Sequence, residues 1–221
     1  VVLTTNGNSL LMTGTGWSLI GNSGTSGTKN FLGTTDQQPL NLMANNQVGL
    51  RIEPTSAGLT PNLIGGYGAT AQGLYGVTIA GGGAADLTNY AGDVFTSIGG
   101  GRGNQIDAGS YDATVAGGYQ NVIGANAPSG VIGGGEYNTI AGDTTNATIA
   151  GGSLGTIGAY SLASVVGGGE ENVIDAYNVD SLISGGWQNY LGWAASGSAI
   201  LGGEQNAILD YCYNSTISGG L

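Results

Sequence analysis

The chain has 221 residues, of which 46 are glycine, and its 14 acidic and three basic side chains give a formal net charge of −11. So few cations argue against a phosphate-binding surface, and no apolar run is long enough to span a bilayer, so we expect no nucleic-acid partner and no membrane insertion in this segment. The chain contains no histidine, which excludes Ser–His and Cys–His nucleophiles, and its one cysteine cannot form an intrachain disulfide. Abundant Gly, Asn, Thr and Ile instead predict an all-β protein of short strands.

Residues 1–57 are predicted to form a small β-rich cap or connector. The segment WSLIG at Trp17 reads as a strand. In PLNLMANNQVGLRIEP, apolar residues alternate on both sides of Asn45 and Asn46, which predicts a β-hairpin with these two residues in the turn. We expect this hairpin to cap a repeat array, because stacked arrays need a cover at their ends.

Residues 58–221 are predicted to form that array. Glycine pairs recur with a step of 17 residues and begin at Gly100, Gly117, Gly134, Gly151, Gly168, Gly185, Gly202 and Gly219. An aliphatic residue stands two positions before each pair, and in the seven complete units another stands six positions after its start. Glycine pairs would destroy a helical repeat, so each unit reads as two short strands and two turns. The period predicts a parallel β-solenoid, or β-roll, of 17-residue coils.

One position of the repeat accepts only Asn or Gly and is interpreted as a structural turn. Its members are Asn104, Asn121, Asn138, Gly155, Asn172, Asn189 and Asn206. Asn and Gly tolerate positive φ best, so we expect a left-handed conformation here, and Asn121→Gly should be better tolerated than Asn121→Val. The alternative is that the Asn side chains form a ladder along the stack, which Gly155 argues against because it has no side chain.

The thinness of the coil predicts a partner chain. Each coil offers only two large aliphatic side chains, a small core for a monomer. The residues before the glycine pairs are small, which would let chains approach closely; they are Gly99, Ala116, Gly133, Ala150, Gly167 and Ser184. We therefore expect a parallel homotrimer, with a monomeric solenoid as the alternative.

The repeat also resembles a known family. The segments ATVAGGYQNVIG, GVIGGGEYNTIAG and SVVGGGEENVIDA are similar to the haemagglutinin-like head repeats of trimeric autotransporter adhesins and of related phage and injection-system tail fibres. Residues 16–54 resemble a segment that often precedes such repeats. The resemblance implies a trimeric, left-handed β-roll that binds a receptor or acts as a spacer, without catalysis. The coil is longer here than in the best-known adhesin heads.

Exposed aromatic rings are the first candidates for a binding site. They are Tyr119, Tyr137, Tyr160, Tyr177, Trp187, Trp193, Tyr211 and Tyr213. Such rings could contact a cell-surface glycan or a protein receptor. Equally, they could stack on one another along the solenoid or fill the seam between subunits.

Carboxylates are the second candidates. Glu136, Glu170 and Glu204 share one repeat position on alternate coils, so they should lie about 10 Å apart along one face. This spacing leaves a glycosidase open, although a solvated acidic face is the preferred interpretation. We expect no metal site and no cofactor, and the irregular Thr pattern disfavours an ice-binding face.

The sequence favours a non-enzymatic extracellular segment of a fibre or adhesin, on a cell surface, a virion or an injection system. It would present a receptor-binding or surface-binding face. The alternatives are a structural filament or sheath subunit and, less favoured, a polysaccharide depolymerase. Because the array stops just after the glycine pair at Gly219, we also expect the natural polypeptide to continue beyond Leu221.

Overall fold

The computed structural model describes residues 23–27, 31–56, 58–71 and 73–221. Residues 37–221 form one compact unit, and residues 1–36 are a separate unit. The described residues of the first unit form only turns and bends. The strand predicted at Trp17 lies outside the described residues.

The compact unit begins with antiparallel strands. Strand β1 (Leu40–Ala44) pairs with β2 (Gln47–Glu53), and Asn45 and Asn46 between them have φ of 48° and 59°. Strand β2 then pairs, again antiparallel, with β3 (Asn62–Gly65). Every later pairing is parallel. The β1–β2 pair therefore extends the same sheet that the coils build, and this sheet runs across the domain boundary predicted at residue 57.

The remaining strands are two residues long and alternate between two sheets. The 12-stranded sheet continues from β3 with β4 (Thr78–Ile79), β6 (Ser97–Ile98), β8 (Thr114–Val115), β10 (Val131–Ile132), β12 (Thr148–Ile149), β14 (Val165–Val166), β16 (Leu182–Ile183), β18 (Ala199–Ile200) and β20 (Thr216–Ile217). The eight-stranded sheet holds β5 (Tyr90–Ala91), β7 (Gln105–Ile106), β9 (Val122–Ile123), β11 (Thr139–Ile140), β13 (Thr156–Ile157), β15 (Val173–Ile174), β17 (Tyr190–Leu191) and β19 (Ala207–Ile208).

This arrangement is a parallel β-solenoid of about nine turns, which confirms the predicted fold class and the 17-residue period. We number the regular coils 1 to 7, beginning at residues 97, 114, 131, 148, 165, 182 and 199. Val131 pairs with Thr114 of the preceding coil and with Thr148 of the following one, 17 residues away in each direction. The second residue of each regular strand points inward, and these aliphatic side chains form the core.

The core closes within one chain. Ile98, Ile123, Ile140 and Ile183 are among a dozen large side chains with almost no exposed surface. The argument that a second chain is needed to bury the aliphatic residues therefore loses its force. The homotrimer itself remains a prediction, and a different observation supports it below.

Left-handed residues form the corners of each coil. Outside glycine, positive φ falls at three positions per regular coil: Gln120, Tyr137, Leu154, Glu171, Gln188 and Gln205 at the first, Asn126, Asp143, Tyr160, Tyr177, Ala194 and Tyr211 at the second, and Asp112, Ser129, Asn146, Ala163, Asp180 and Asn214 at the third. These residues donate their N–H groups backward, as Gln120 does to Arg102 O at 3.0 Å. Strand residues donate forward, as Val122 does to Asn138 O at 2.9 Å. The corners thus connect each coil to both of its neighbours.

The prediction of positive φ at the repeated Asn position is wrong. The left-handed residue of that turn comes one position earlier, at Gln120 rather than Asn121 and at Tyr137 rather than Asn138. Asn104, Asn121, Asn138, Asn172, Asn189 and Asn206, and also Gly155, have no left-handed φ. The alternative is correct for the Asn residues: their side chains form a hydrogen-bonded ladder, interrupted at Gly155.

The asparagine ladder uses nearly every polar atom of its buried side chains. Asn121 Nδ2 contacts Asn104 Oδ1, Gly117 O and Gly135 O at 3.0–3.1 Å. Its Oδ1 accepts from both N and Nδ2 of Asn138. Asn89, which lies outside the strict period, begins the ladder by accepting from Asn104 N at 3.1 Å. Asn is selected here because its carboxamide both donates and accepts, and the six ladder members need both functions.

The two glycines of each pair have different roles. Gly134 has φ of 138° and an added Cβ would meet nothing, so its conformation is what favours glycine. Gly135 has φ of 86°, and its Cβ would collide with Gly152 O of the next coil. Close stacking also explains the residue before some pairs, because a Cβ at Gly133 would collide with Ala150 O. The small residues that suggested contact between chains thus partly serve contact within one chain.

The ladder predicts opposite tolerance to glycine at two adjacent positions. Asn121→Gly leaves Asn104 Oδ1 and the Asn138 N–H without their buried partner, so it should lower the free energy of unfolding by at least about 2 kcal/mol. Gln120→Gly should change it by less than about 1 kcal/mol, because glycine adopts the left-handed conformation freely. Denaturant titration of both variants checks this, and equal losses would contradict the ladder.

Candidate functional site

Four of the predicted binding residues form one continuous row of rings, here called the aromatic column: Tyr160, Tyr177, Trp193 and Tyr211. The ring centroids of Tyr160 and Tyr177 are 4.8 Å apart with an interplanar angle of 24°. Trp193 lies 5.0 Å from the rings of both Tyr177 and Tyr211, at angles of 53° and 68°. The column therefore spans four consecutive coils without a gap.

The column stays accessible although its rings contact each other. Tyr160, Tyr177 and Tyr211 are 45, 47 and 60% exposed, and Trp193 is half-buried. The three tyrosines occupy the same left-handed corner position, which repeats at the roughly 4.8 Å spacing of stacked strands. Both interpretations of the sequence thus hold in part, because the rings stack on one another and still face solvent.

A polar pair continues the column toward the N-terminus. Asn126 and Asp143 occupy the same corner position in coils 2 and 3, and Asn126 Nδ2 donates to Asp143 Oδ1 at 3.2 Å. The charge of Asp143, with a smaller effect of Tyr177, raises the pKa of Tyr160 above its ordinary value. The column thus ends against a carboxylate that accepts a hydrogen bond from the Tyr160 hydroxyl.

A second group of predicted residues lies at the opposite corner of the coil, after the glycine pairs. The Arg102 guanidinium lies 4.6 Å from the centre of the Tyr119 ring, and Tyr119 contacts Tyr137 edge-on at 5.1 Å. A hydrogen bond with Tyr119 is the main cause that raises the pKa of Tyr137. This smaller cluster spans coils 1 to 3 and is separate from the aromatic column.

The last two predicted binding residues join neither cluster. Trp187 pairs through its backbone with Glu170 and Glu204 on the two adjacent coils. Tyr213 is 57% exposed and lies two positions after Tyr211 in the same corner. The structure therefore separates the eight predicted residues into four column members, a tyrosine pair and two individual rings.

One polar contact escaped the sequence analysis. Tyr190 faces outward from β17 and donates its hydroxyl to Asp175 Oδ2 at 2.8 Å. Burial first, and then the hydrogen bond and the charge of Asp175, raise the pKa of Tyr190 to about 12. Tyr190 precedes Trp193 by three residues, but nothing in the repeat marks it, because the same position holds Val173 or Ala207 in neighbouring coils.

The predicted carboxylate row follows the expected order. Glu136, Glu170 and Glu204 lie in one backbone ladder, with Ser153 and Trp187 between them. No two of them are on adjacent coils. In the part of the chain that the structure describes, no three Asp, Glu or Cys side chains gather closely enough to hold a metal ion.

Two clefts lie near the β1–β2 pair rather than along the coils. One of about 320 Å³ is bordered by Pro39, Asn62 and Tyr75. The other, of about 530 Å³, is bordered by Val48, Arg51 and Tyr67. Arg51 already forms an ion pair with Glu53 at 2.9 Å, so its charge is largely satisfied within the chain.

Comparison with protein-family models and with curated proteins found no match. Within the described residues there is also no helix long and apolar enough to cross a membrane. The class that the fold defines is therefore that of a parallel β-solenoid repeat protein. The resemblance to adhesin heads and tail fibres remains an interpretation of the repeat sequence.

The raised pKa of Tyr190 predicts a loss of stability at high pH. The unfolded phenol loses its proton near pH 10 and the folded one near pH 12, so the folded state binds more protons in between. The free energy of unfolding should fall as pH rises from about 10 to 12, and Tyr190→Phe should reduce that fall. Asp175→Asn should keep part of it, because burial is the larger cause. Equal slopes for wild type and Tyr190→Phe would contradict the assignment.

Proposed function

We propose that this chain is a non-enzymatic segment of an extracellular fibre or adhesin, which acts as a homotrimer and binds a surface glycan through the aromatic column. The observation that carries the proposal is the uninterrupted row of partly exposed rings over four coils. Internal stacking holds the rings in place, so little side-chain entropy is lost when a ligand binds.

The geometry of the rings favours a hydroxyl-rich, extended ligand. Tyr160 and Tyr177 turn their faces toward each other, so they offer ring edges and hydroxyl groups to a ligand. The tilted Trp193 interrupts this parallel stacking. A polysaccharide that lies along the column can contact successive coils, and it combines apolar ring faces with hydroxyl groups that match the tyrosine hydroxyls.

Charge narrows the ligand further. Residues 103–221 contain ten acidic side chains and no basic one. Asp143 stands at one end of the column, and Asp210 accepts a hydrogen bond from Trp193 N at 2.9 Å. A neutral or amino-bearing glycan suits this surface, whereas a sulfated or sialylated one would be repelled.

A charge-free surface supports self-association. We call it the neutral face: the outward residues of the 12-stranded sheet, Ser97, Gly99, Thr114, Ala116, Val131, Gly133, Thr148, Ala150, Val165, Gly167, Leu182, Ser184, Ala199, Leu201, Thr216 and Ser218. Two copies with net charge −11 repel each other, so contact is least costly where both surfaces are neutral. The aromatic column lies at the corner beyond the opposite sheet and would stay free in such an assembly.

The alternatives remain distinguishable. A filament or sheath subunit would use the neutral face without binding a glycan. A depolymerase would need a carboxylate pair, and Glu136, Glu170 and Glu204 lie two coils apart, about 10 Å by strand spacing. Release of reducing ends from a bound polysaccharide would favour the depolymerase over the proposal.

Glycan-array binding tests the column. Tyr160→Asn with Tyr177→Asn removes two rings and keeps residues that tolerate positive φ. We expect at least a tenfold loss of affinity for the glycan that wild type binds, which is about 1.4 kcal/mol. Tyr137→Asn, the same substitution at a left-handed position of the other corner, should leave affinity unchanged. Loss of binding with Tyr137→Asn alone, or no glycan binding by wild type, would overturn the proposal.

Sedimentation equilibrium tests the trimer. Ala150→Asp places a charge on the neutral face, and Ala141→Asp places the same charge outside the opposite sheet. We expect a trimer for wild type and Ala141→Asp, and dissociation for Ala150→Asp. A folded wild-type monomer at micromolar concentration would exclude the homotrimer.

A further inference from the structure

The asparagine ladder is interrupted at one coil, and the interruption removes bonds inside the solenoid. Gly155 occupies the ladder position of coil 4 between Asn138 and Asn172. Its N–H still donates to Asn138 Oδ1 at 2.9 Å. Gly155 has no carboxamide, however, so it cannot bond onward as the other ladder members do.

Neighbouring coils show which groups a ladder carboxamide serves. Asn172 Nδ2 donates to Gly168 O at 2.8 Å and to Gly186 O at 2.9 Å, and Asn172 Oδ1 accepts from Asn189 N at 3.0 Å. The same three partners recur around Asn121 and Asn189. Each complete step thus satisfies two carbonyl oxygens and one amide N–H.

The equivalent groups around Gly155 are Gly151 O, Gly169 O and the N–H of Asn172. Gly169 O accepts from Ser153 N at 2.9 Å, as its counterparts do, but it has no carboxamide donor. Among the described residues, Gly151 O and Asn172 N have no hydrogen-bond partner within the chain. Asn172 and Gly155 are buried, so an unsatisfied N–H there would be costly.

The space beside Gly155 is large enough for a small molecule. In adjacent coils it holds the four heavy atoms of an Asn side chain, more than the roughly 30 Å³ that one water takes in the liquid. The nearest atoms to a Cβ built at Gly155 are Asn138 Oδ1 at 2.9 Å, Ile149 Cγ2 at 3.4 Å and Val166 Cγ1 at 3.7 Å. Val166 is shorter than the Ile found at this position in most coils, so the core does not fill the space.

We propose that coil 4 contains a binding site for one buried water molecule, which donates to Gly151 O and Gly169 O and accepts from the Asn172 N–H. Two acceptors and one donor require a ligand that both donates and accepts, and a neutral water meets this requirement with three partners. A monovalent cation would face the N–H dipole unfavourably, and an anion would face two carbonyl oxygens. The water takes the place of the carboxamide and keeps the stack continuous.

A crystal structure of the full chain tests the site directly. Wild type should show one water within hydrogen-bond distance of Gly151 O, Gly169 O and Asn172 N. Gly155→Asn should replace it with the side-chain carboxamide and restore the ladder, with movement only of the Asn138 carboxamide. Ile149 and Val166 shifted into a dry space, or anomalous density after rubidium soaking, would overturn the proposal.

Stability measurements provide a second readout. Gly155→Asn should raise Tm by about 2–4 °C, since it supplies the missing bonds within the chain. Gly155→Ala should lower Tm, because a methyl group takes water's space without bonding any of the three groups. An increase in Tm for Gly155→Ala equal to that for Gly155→Asn would show that the space is simply apolar, which contradicts the proposed site.

Discussion

The structure depends on hydrogen bonds that join each coil to both of its neighbours. Strands donate forward along the stack, while the left-handed corners donate backward, as Gln120 does to Arg102. Buried carboxamides add a second row of bonds within the same stack. Because all three rows require coils of equal length, the exact 17-residue period is a condition of the fold and not only a feature of its ancestry.

The sequence predicted what repeats with a simple physical cause. Aliphatic residues at a fixed spacing must point into a core, so the period alone identifies Ile98 and Ile123 as buried, and both are. The role of Asn121 could not be predicted in this way, because a left-handed turn and a side-chain ladder select the same residue type. The actual left-handed residues include Tyr137 and Leu154, which have no preference for that conformation. Stacking imposes it, so composition gives no signal.

The candidate site was predictable by residue but not by arrangement. Every member of the aromatic column was identified from its place in the variable turn, yet Trp193 stands one position earlier in its coil than the tyrosines. Only the length of its indole brings the ring between Tyr177 and Tyr211. The neutral face was missed for another reason: it consists of what two positions lack, across many coils, and no single coil shows it.

The equal coil length limits how such a chain can change over evolutionary time. Loss or gain of one residue within a coil would move Ile123 or its equivalents from inside to outside and shift Asn121 out of line with Asn104. Duplication or deletion of a whole coil leaves every contact intact and alters only the reach of the molecule, by about 4.8 Å per event. Length can therefore be adjusted in discrete steps, by recombination between repeats, while the cross-section stays the same.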